Sequence, residues 1–138
     1  MRLAMTQRRT PWICLAVLAL LAGACRRLDR VMVQGVSMAP ALLPGDRLLV
    51  LRTRRVRVGD LVVARDPREP ARELVKRLVE ITPQGELVCH GDNAESSTDS
   101  RAYGALPAGC LVGRALYRYA PPARSGLMRS GAVRGRRR

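Results

Sequence analysis

Two residues far apart in the chain could together do nucleophilic chemistry. Ser37 lies in Val33-Gln34-Gly35-Val36-Ser37-Met38-Ala39-Pro40, and Lys76 lies in Glu73-Leu74-Val75-Lys76-Arg77-Leu78-Val79-Glu80-Ile81. The chain holds 25 Lys and Arg, and Lys76 is its single Lys. A guanidinium stays protonated in a protein, whereas an ammonium buried among apolar groups loses its proton readily and can act as a general base. A Ser hydroxyl beside a neutral Lys is one of the established nucleophile–base pairs. The plainer readings are that Ser37 bonds its own backbone in a turn and that Lys76 blunts an edge strand.

The elements that must position these residues read as strands and turns. An alternating apolar run from Val31 to Val36 predicts a strand that delivers Ser37 into a segment broken by Pro40, Pro44 and Gly45. Around Lys76 a period of two puts Leu74, Lys76 and Leu78 on one face and Val75, Arg77, Val79 and Ile81 on the other. Lys76 is thus flanked by leucines. Further short apolar runs at Arg47–Leu51, Arg57–Arg65, Glu73–Ile81, Glu86–His90 and Leu111–Tyr119 are separated by Gly, Pro and Asp. None demands a helix, so the expected fold is mainly β, an irregular sheet or barrel. Asp46 and Asp60 each follow a Gly and read as turn-formers.

Five boxes follow in order along the chain: Gly35-Val36-Ser37-Met38-Ala39-Pro40-Ala41-Leu42 with Gly45-Asp46, Val58-Gly59-Asp60-Leu61-Val62-Val63, Val75-Lys76-Arg77-Leu78-Val79, Gly91-Asp92-Asn93, and Ser97-Thr98-Asp99-Ser100-Arg101. In that order they resemble the boxes of type I signal peptidases, and the resemblance runs from Val31 to Arg118. It implies a membrane-anchored serine protease with a Ser/Lys dyad on a signal-peptidase-like catalytic β domain, cutting signal peptides of exported preproteins after small residues and using no cofactor. Matched residue by residue, Ser37 falls on the nucleophile, Lys76 on the general base and Ser97 on the hydroxyl that orients the lysine. Asp99 and Arg101 match a supporting pair, and they lie on one side of what reads as an extended segment. One departure stands out. Many bacterial members carry a Ser two residues before the nucleophile that helps stabilise the oxyanion, and here that position is Gly35. Mitochondrial inner-membrane peptidases and the small proteases that mature nickel superoxide dismutase are similar there. The resemblance also places apolar surface near the site, including Met38, against the membrane.

The full chain of 138 residues allows one ordinary domain with appendages. Its formal net charge of +14 suits an anionic membrane surface or nucleic acid. Only 3% of residues are aromatic and none is Phe, which leaves few platforms for stacking bases and disfavours nucleic acid as the partner. Residues 1–30 read as a basic segment and membrane anchor: Arg2, Arg8 and Arg9 precede the apolar run Pro11 to Cys25, and Arg26, Arg27 and Arg30 follow it. At about 1.5 Å per residue this run spans roughly 22 Å, between a signal-peptide core and a span of the approximately 30 Å hydrocarbon layer. Similar charge on the two sides gives no orientation. The family resemblance implies an uncleaved single-pass anchor with the catalytic domain, residues 31–120, on the extracytoplasmic side of the cell membrane. Leu21-Ala22-Gly23-Ala24-Cys25 also resembles an imperfect lipoprotein cleavage site.

Beyond Pro121 the sequence reads as a disordered basic tail, 121–138. His90 is the only histidine, so a Ser-His-Asp triad would have to use it, and the Ser37 box lacks the second glycine of a nucleophile elbow. Cys14, Cys25, Cys89 and Cys110 show no paired spacing, which argues against a metal site. Outside the cytoplasm Cys89 and Cys110 could form a disulfide. Two other functions stand beside the signal peptidase. One is a maturation protease for a nickel superoxide dismutase precursor, against which the apolar N-terminus weighs. The other is a non-enzymatic basic binder of membranes or nucleic acid.

Overall fold

Short apolar runs punctuated by Gly, Pro and Asp build one antiparallel sheet in the computed structural model, which describes residues 10–131. Its strands are β1 (Leu28–Met32), β2 (Arg47–Leu51), β3 (Leu61–Arg65), β4 (Glu73–Ile81), β5 (Leu87–His90), β6 (Leu111–Ala120) and β7 (Gly126–Leu127). They lie in the order β1-β2-β6-β3-β4-β5, and β7 pairs with β6 at Tyr117 and Arg118. The mainly β expectation holds.

Strand β3 explains how so small a domain keeps a core. Its continuous apolar run Leu61-Val62-Val63-Ala64 is buried on both faces, as a strand covered on both sides must be. Leu61 and Val63 pack with Val33, Met38, Leu42, Leu48, Val50 and Ala115, while Val62 and Ala64 pack with Leu78, Leu87, Cys89 and Leu106. Strand β4 follows its period of two: Leu74, Lys76 and Leu78 are buried. Lys76 sits directly across from Val62 of β3, so its stem lies against the second core cluster.

Three expectations need correction. The first strand is Leu28–Met32, not Val31–Val36. Val33 instead closes a loop, donating to the Asp46 carbonyl at 2.8 Å and accepting from the Gly45 N–H at 2.9 Å, and Gly35 at φ +76° breaks any extended continuation. Residues 121–131 are not a disordered tail: after a turn at Pro122–Arg124 they add β7 to the sheet, and residues 132–138 lie outside the described region. The N-terminal apolar run is a helix, α1 (Thr10–Cys25), of 16 residues. However, no helix among the described residues is long and apolar enough to cross a membrane. Residues 1–9 of the basic segment lie outside the described region.

Candidate active site

The loop between β1 and β2 presents Ser37. Within it the Ala39 N–H donates to the Val36 carbonyl at 3.0 Å and the Leu42 N–H to the Met38 carbonyl at 2.9 Å, giving a tight turn after the hydroxyl. That turn swings Met38 inward. Met38 is only 1% exposed and packs with Leu42, Leu48 and Val50, so it belongs to the core and does not form the apolar surface expected of it. The exposed apolar side chains of this region are Met32, Val36 and Leu43. Gly35 owes its identity to backbone conformation: its φ of +76° disfavours any side chain, although space around it is open.

Lys76 is 4% exposed. Its Nζ donates to Ser97 Oγ at 3.0 Å, and that hydroxyl donates in turn to Asp99 Oδ2 at 2.6 Å. Asp99 is fully buried and collects further donors: the Gly91 N–H at 2.8 Å, the Arg101 N–H at 3.1 Å and Arg101 Nε at 2.8 Å. The supporting pair therefore forms, but not across an extended segment. Asp99 caps a helical turn, α2 (Ser100–Tyr103), that brings Arg101 back onto it. Burial pushes the Lys76 amine below the usual lysine range; the Asp99 charge opposes this, and Arg72 and Arg101 add to it. Burial by itself would push the Asp99 carboxyl up, yet the Arg101 and Ser97 side chains and the Gly91 and Arg101 N–H groups hold it well below the usual range.

A third segment joins the two halves. The Asn93 N–H donates to the Ser37 carbonyl at 2.9 Å, and Asn93 Nδ2 donates to the Val36 carbonyl at 3.2 Å. A trans peptide points its C=O and N–H in opposite directions, so holding Val36 O on Asn93 also fixes where the Ser37 N–H points. Gly91 is buried between the partners: a Cβ there would overlap both the Ser97 side chain and the Ser37 carbonyl oxygen. Asp92 forms a bidentate pair with Arg77, at 2.8 and 2.7 Å, which ties this loop to β4 beside Lys76. Ser37, Lys76, Ser96 and Thr98 line one open cleft of about 840 Å³.

Sequence reasoning did not find the work of Asn93, Gly91 and Asp92. The resemblance marks Gly91-Asp92-Asn93 as a box but assigns it no role, because its partners lie on β4 and in the Ser37 loop. Asp46 and Asp60 do form turns, accepting from the Leu43 N–H at 3.0 Å and the Arg57 N–H at 2.9 Å. Both are also buried and paired with arginines, which their spacing gave no hint of. His90 ends β5 opposite Arg77. All four cysteines are free thiols, Cys89 in the core and Cys110 half-buried.

The family model described as signal peptidase, peptidase S26, matches residues 6–82 and 80–120. The chain is 33% identical over 123 residues to the mitochondrial ATP-independent inner membrane protease subunit 1a of Arabidopsis thaliana, covering 70% of this chain and 73% of the relative. It is 28% identical over 123 residues to the human mitochondrial inner membrane protease subunit 1, covering 72% and 74%. It is 29% identical over 108 residues to a probable signal peptidase I-1 of Synechocystis, covering 74% and 54%. On the extent of that match, the chain belongs to the signal peptidase family, peptidase S26.

Proposed function

We infer that this chain is a membrane-associated serine endopeptidase that removes signal peptides from exported preproteins through a Ser37–Lys76 dyad. One observation carries the reading: the only lysine of the chain is buried, is held by Ser97, and opens onto the cleft that Ser37 also lines. The neutral amine takes the Ser37 proton as Oγ bonds to the scissile carbonyl carbon. The tetrahedral oxyanion that forms is met by the Ser37 N–H. As the C–N bond breaks, Lys76 returns the proton to the leaving amine, and water, activated by the same Lys, then hydrolyses the acyl-enzyme. Ser97, Asp99 and Arg101 orient the amine. Gly35 supplies no side-chain donor to the oxyanion, so the second donor is backbone or water. The relatives' names speak of inner membranes, and α1, apolar and exposed along its side chains from Trp12 to Cys25, is the element that would associate with a bilayer. On this reading the catalytic domain faces the extracytoplasmic side.

The test is cleavage of a detergent-solubilised preprotein by wild type, Ser37→Ala and Lys76→Arg, each checked for folding by circular dichroism. Cutting is expected after small residues at the first and third positions before the bond. Lys76→Arg keeps the charge but cannot accept a proton, so its rate should fall by about 10²-fold to 10⁴-fold. A folded Lys76→Arg protein within a few-fold of wild type overturns the dyad, and a preference for large charged residues at either position overturns the substrate assignment.

A further inference from the structure

We propose that residues 121–131 are a strap that sets the separation of Ser37 and Lys76, with Arg124 and, from the end of β6, Arg118 as positioning residues at the first of its two anchored ends. The proposal rests on the peptidase reading above and goes beyond it, because it places a control of the dyad in a segment outside the family match.

One end of the strap holds the Ser37 loop. Asp46, 1% exposed, accepts from Arg118 Nη1 at 3.1 Å, Arg124 Nη1 at 3.0 Å and the Leu43 N–H at 3.0 Å. The same guanidiniums reach the Ala41 carbonyl, at 3.1 Å from Arg118 and 3.5 Å from Arg124, and Arg118 Nε donates to the Arg124 carbonyl. A carboxylate this buried needs its cations, and the cations here come from the end of β6 and from the strap. Ala41 and Leu43 directly follow the turn that presents Ser37, so the arginines fix where that turn ends. Midway, the Met128 N–H donates to the Leu116 carbonyl at 2.7 Å, and the Met128 side chain packs on the core cluster that contains Met38 and Leu42.

The other end holds the strand that bears Lys76. The Gly131 N–H donates to the Gly59 carbonyl at 3.0 Å, and Ser130 Oγ donates to Asp60. Gly59 and Asp60 exchange backbone hydrogen bonds with Leu78 at 2.8 and 2.9 Å, two residues along β4 from Lys76. Arg77, next to Lys76, donates to the Gly59 carbonyl at 2.9 Å, and its guanidinium lies so close that a Cβ on Gly131 would sit 2.7 Å from Nη1. The strap thus runs from the loop of the nucleophile to the strand of the base. Proton transfer between them depends steeply on geometry, since an error of about 1 Å can cost ~10²-fold in rate.

The test uses the full chain and the preprotein cleavage assay, with rates expressed per folded molecule as measured by circular dichroism at the assay temperature. Arg124→Gln should lower kcat about 10-fold to 100-fold with KM within about twofold and the midpoint of the pH–rate profile unmoved. Arg124→Lys, which restores one charged hydrogen bond to Asp46, should recover to within about fivefold of wild type. Ser130→Ala, at the opposite anchor, should lower kcat about threefold. Arg52→Gln, which breaks only an exposed pair with Asp29, is the control and should match wild type. A purely structural segment would lower the folded fraction and leave kcat per folded molecule within twofold, which overturns the strap. If Arg124→Gln does not fold, the double variant Arg124→Lys/Ser130→Ala decides, and wild-type kcat in that protein overturns the proposal. Failure of the underlying reading looks different: wild type itself would not cleave, or Ser37→Ala would cleave as well as wild type.

Discussion

Gly91→Ala adds a single methyl group at the point where the Ser37 loop and the Lys76 network meet. The backbone there does not need glycine for its dihedral angles; the need is for space. The new Cβ would lie 2.5 Å from the Ser37 carbonyl oxygen, whereas ordinary contact begins at 3.4 Å, so roughly 1 Å of displacement must be found. The Ser37 carbonyl is held by the Asn93 N–H and the Ser97 side chain is crowded at least as closely, so part of the shift falls on the hydroxyl that accepts from Lys76. Overpacking of this kind costs about 1–3 kcal/mol of stability. A misplacement near 1 Å lowers a rate by about 10²-fold. The measurement is kcat for preprotein cleavage with a thermal melt of the same sample. Adding Ser97→Ala to Gly91→Ala should cost less than the two changes separately, because both act on one hydroxyl. Wild-type kcat within twofold and an unchanged melting temperature would refute the reasoning, since the three segments could not then be in the close contact described.

Arg101→Gln removes a charge that depresses the Lys76 amine, so the rising limb of the pH–rate profile should move to higher pH; a shift to lower pH would contradict the electrostatics. Asp99 is held below the usual carboxylate range and Asp66, chiefly by its hydrogen bond to the Arg68 side chain, at about 2. The unfolded chain therefore binds more protons than the folded one below about pH 4, so stability present above that pH is lost as acid is added. Asp66→Asn should flatten the loss between pH 4 and 2, read by circular dichroism. Burial pushes the Cys89 thiol up to about 12, so a native sample at pH 8 should leave Cys89 unalkylated until it is unfolded. Changing all four cysteines to Ser should leave turnover in place, and loss of kcat per folded molecule in that protein would show that the Ser/Lys chemistry is incomplete.

What was legible in the sequence were the features whose signal is local. Strand β4 declares itself by a period of two, and that period puts Lys76 among leucines. The five later apolar runs, set off by Gly, Pro and Asp, also fall on strands. The first run did not, because Val31 to Val36 alternates like a strand while Val33 is bonded to Gly45 and Asp46 twelve and more residues away. Met38 was misread for a related reason. The resemblance placed Met38 on an apolar surface, but one turn of chain reverses its direction and sends it into the core. The segment after Pro121 reads as a tail because its anchors, Asp46 and Asp60, lie more than sixty residues earlier, and composition carries no trace of such pairings.

The chain of groups behind Lys76 keeps a nearby carboxylate out of direct contact with the amine, as the dyad proposed above requires. In direct contact Asp99 would hold the lysine as an ammonium, and an ammonium cannot take the Ser37 proton. Two features prevent that contact from forming. Arg101 and the Gly91 N–H occupy Asp99 and offset part of its pull on Lys76. Ser97 stands between them, and because its hydrogen is committed to Asp99 it meets Lys76 only as an acceptor. A neutral amine has two N–H bonds and one lone pair. Donating one N–H to Ser97 fixes the rotation of the amine, and the tetrahedral arrangement at nitrogen leaves the lone pair free to point elsewhere. The burial that weakens the amine's hold on its proton and the hydroxyl that turns the amine are thus supplied by different parts of the fold, β4 with the second core cluster for one and the 91–101 loop for the other. Arg could satisfy Ser97 but could never present a lone pair, so the dyad proposed above would account for one Lys in a chain that otherwise uses only Arg.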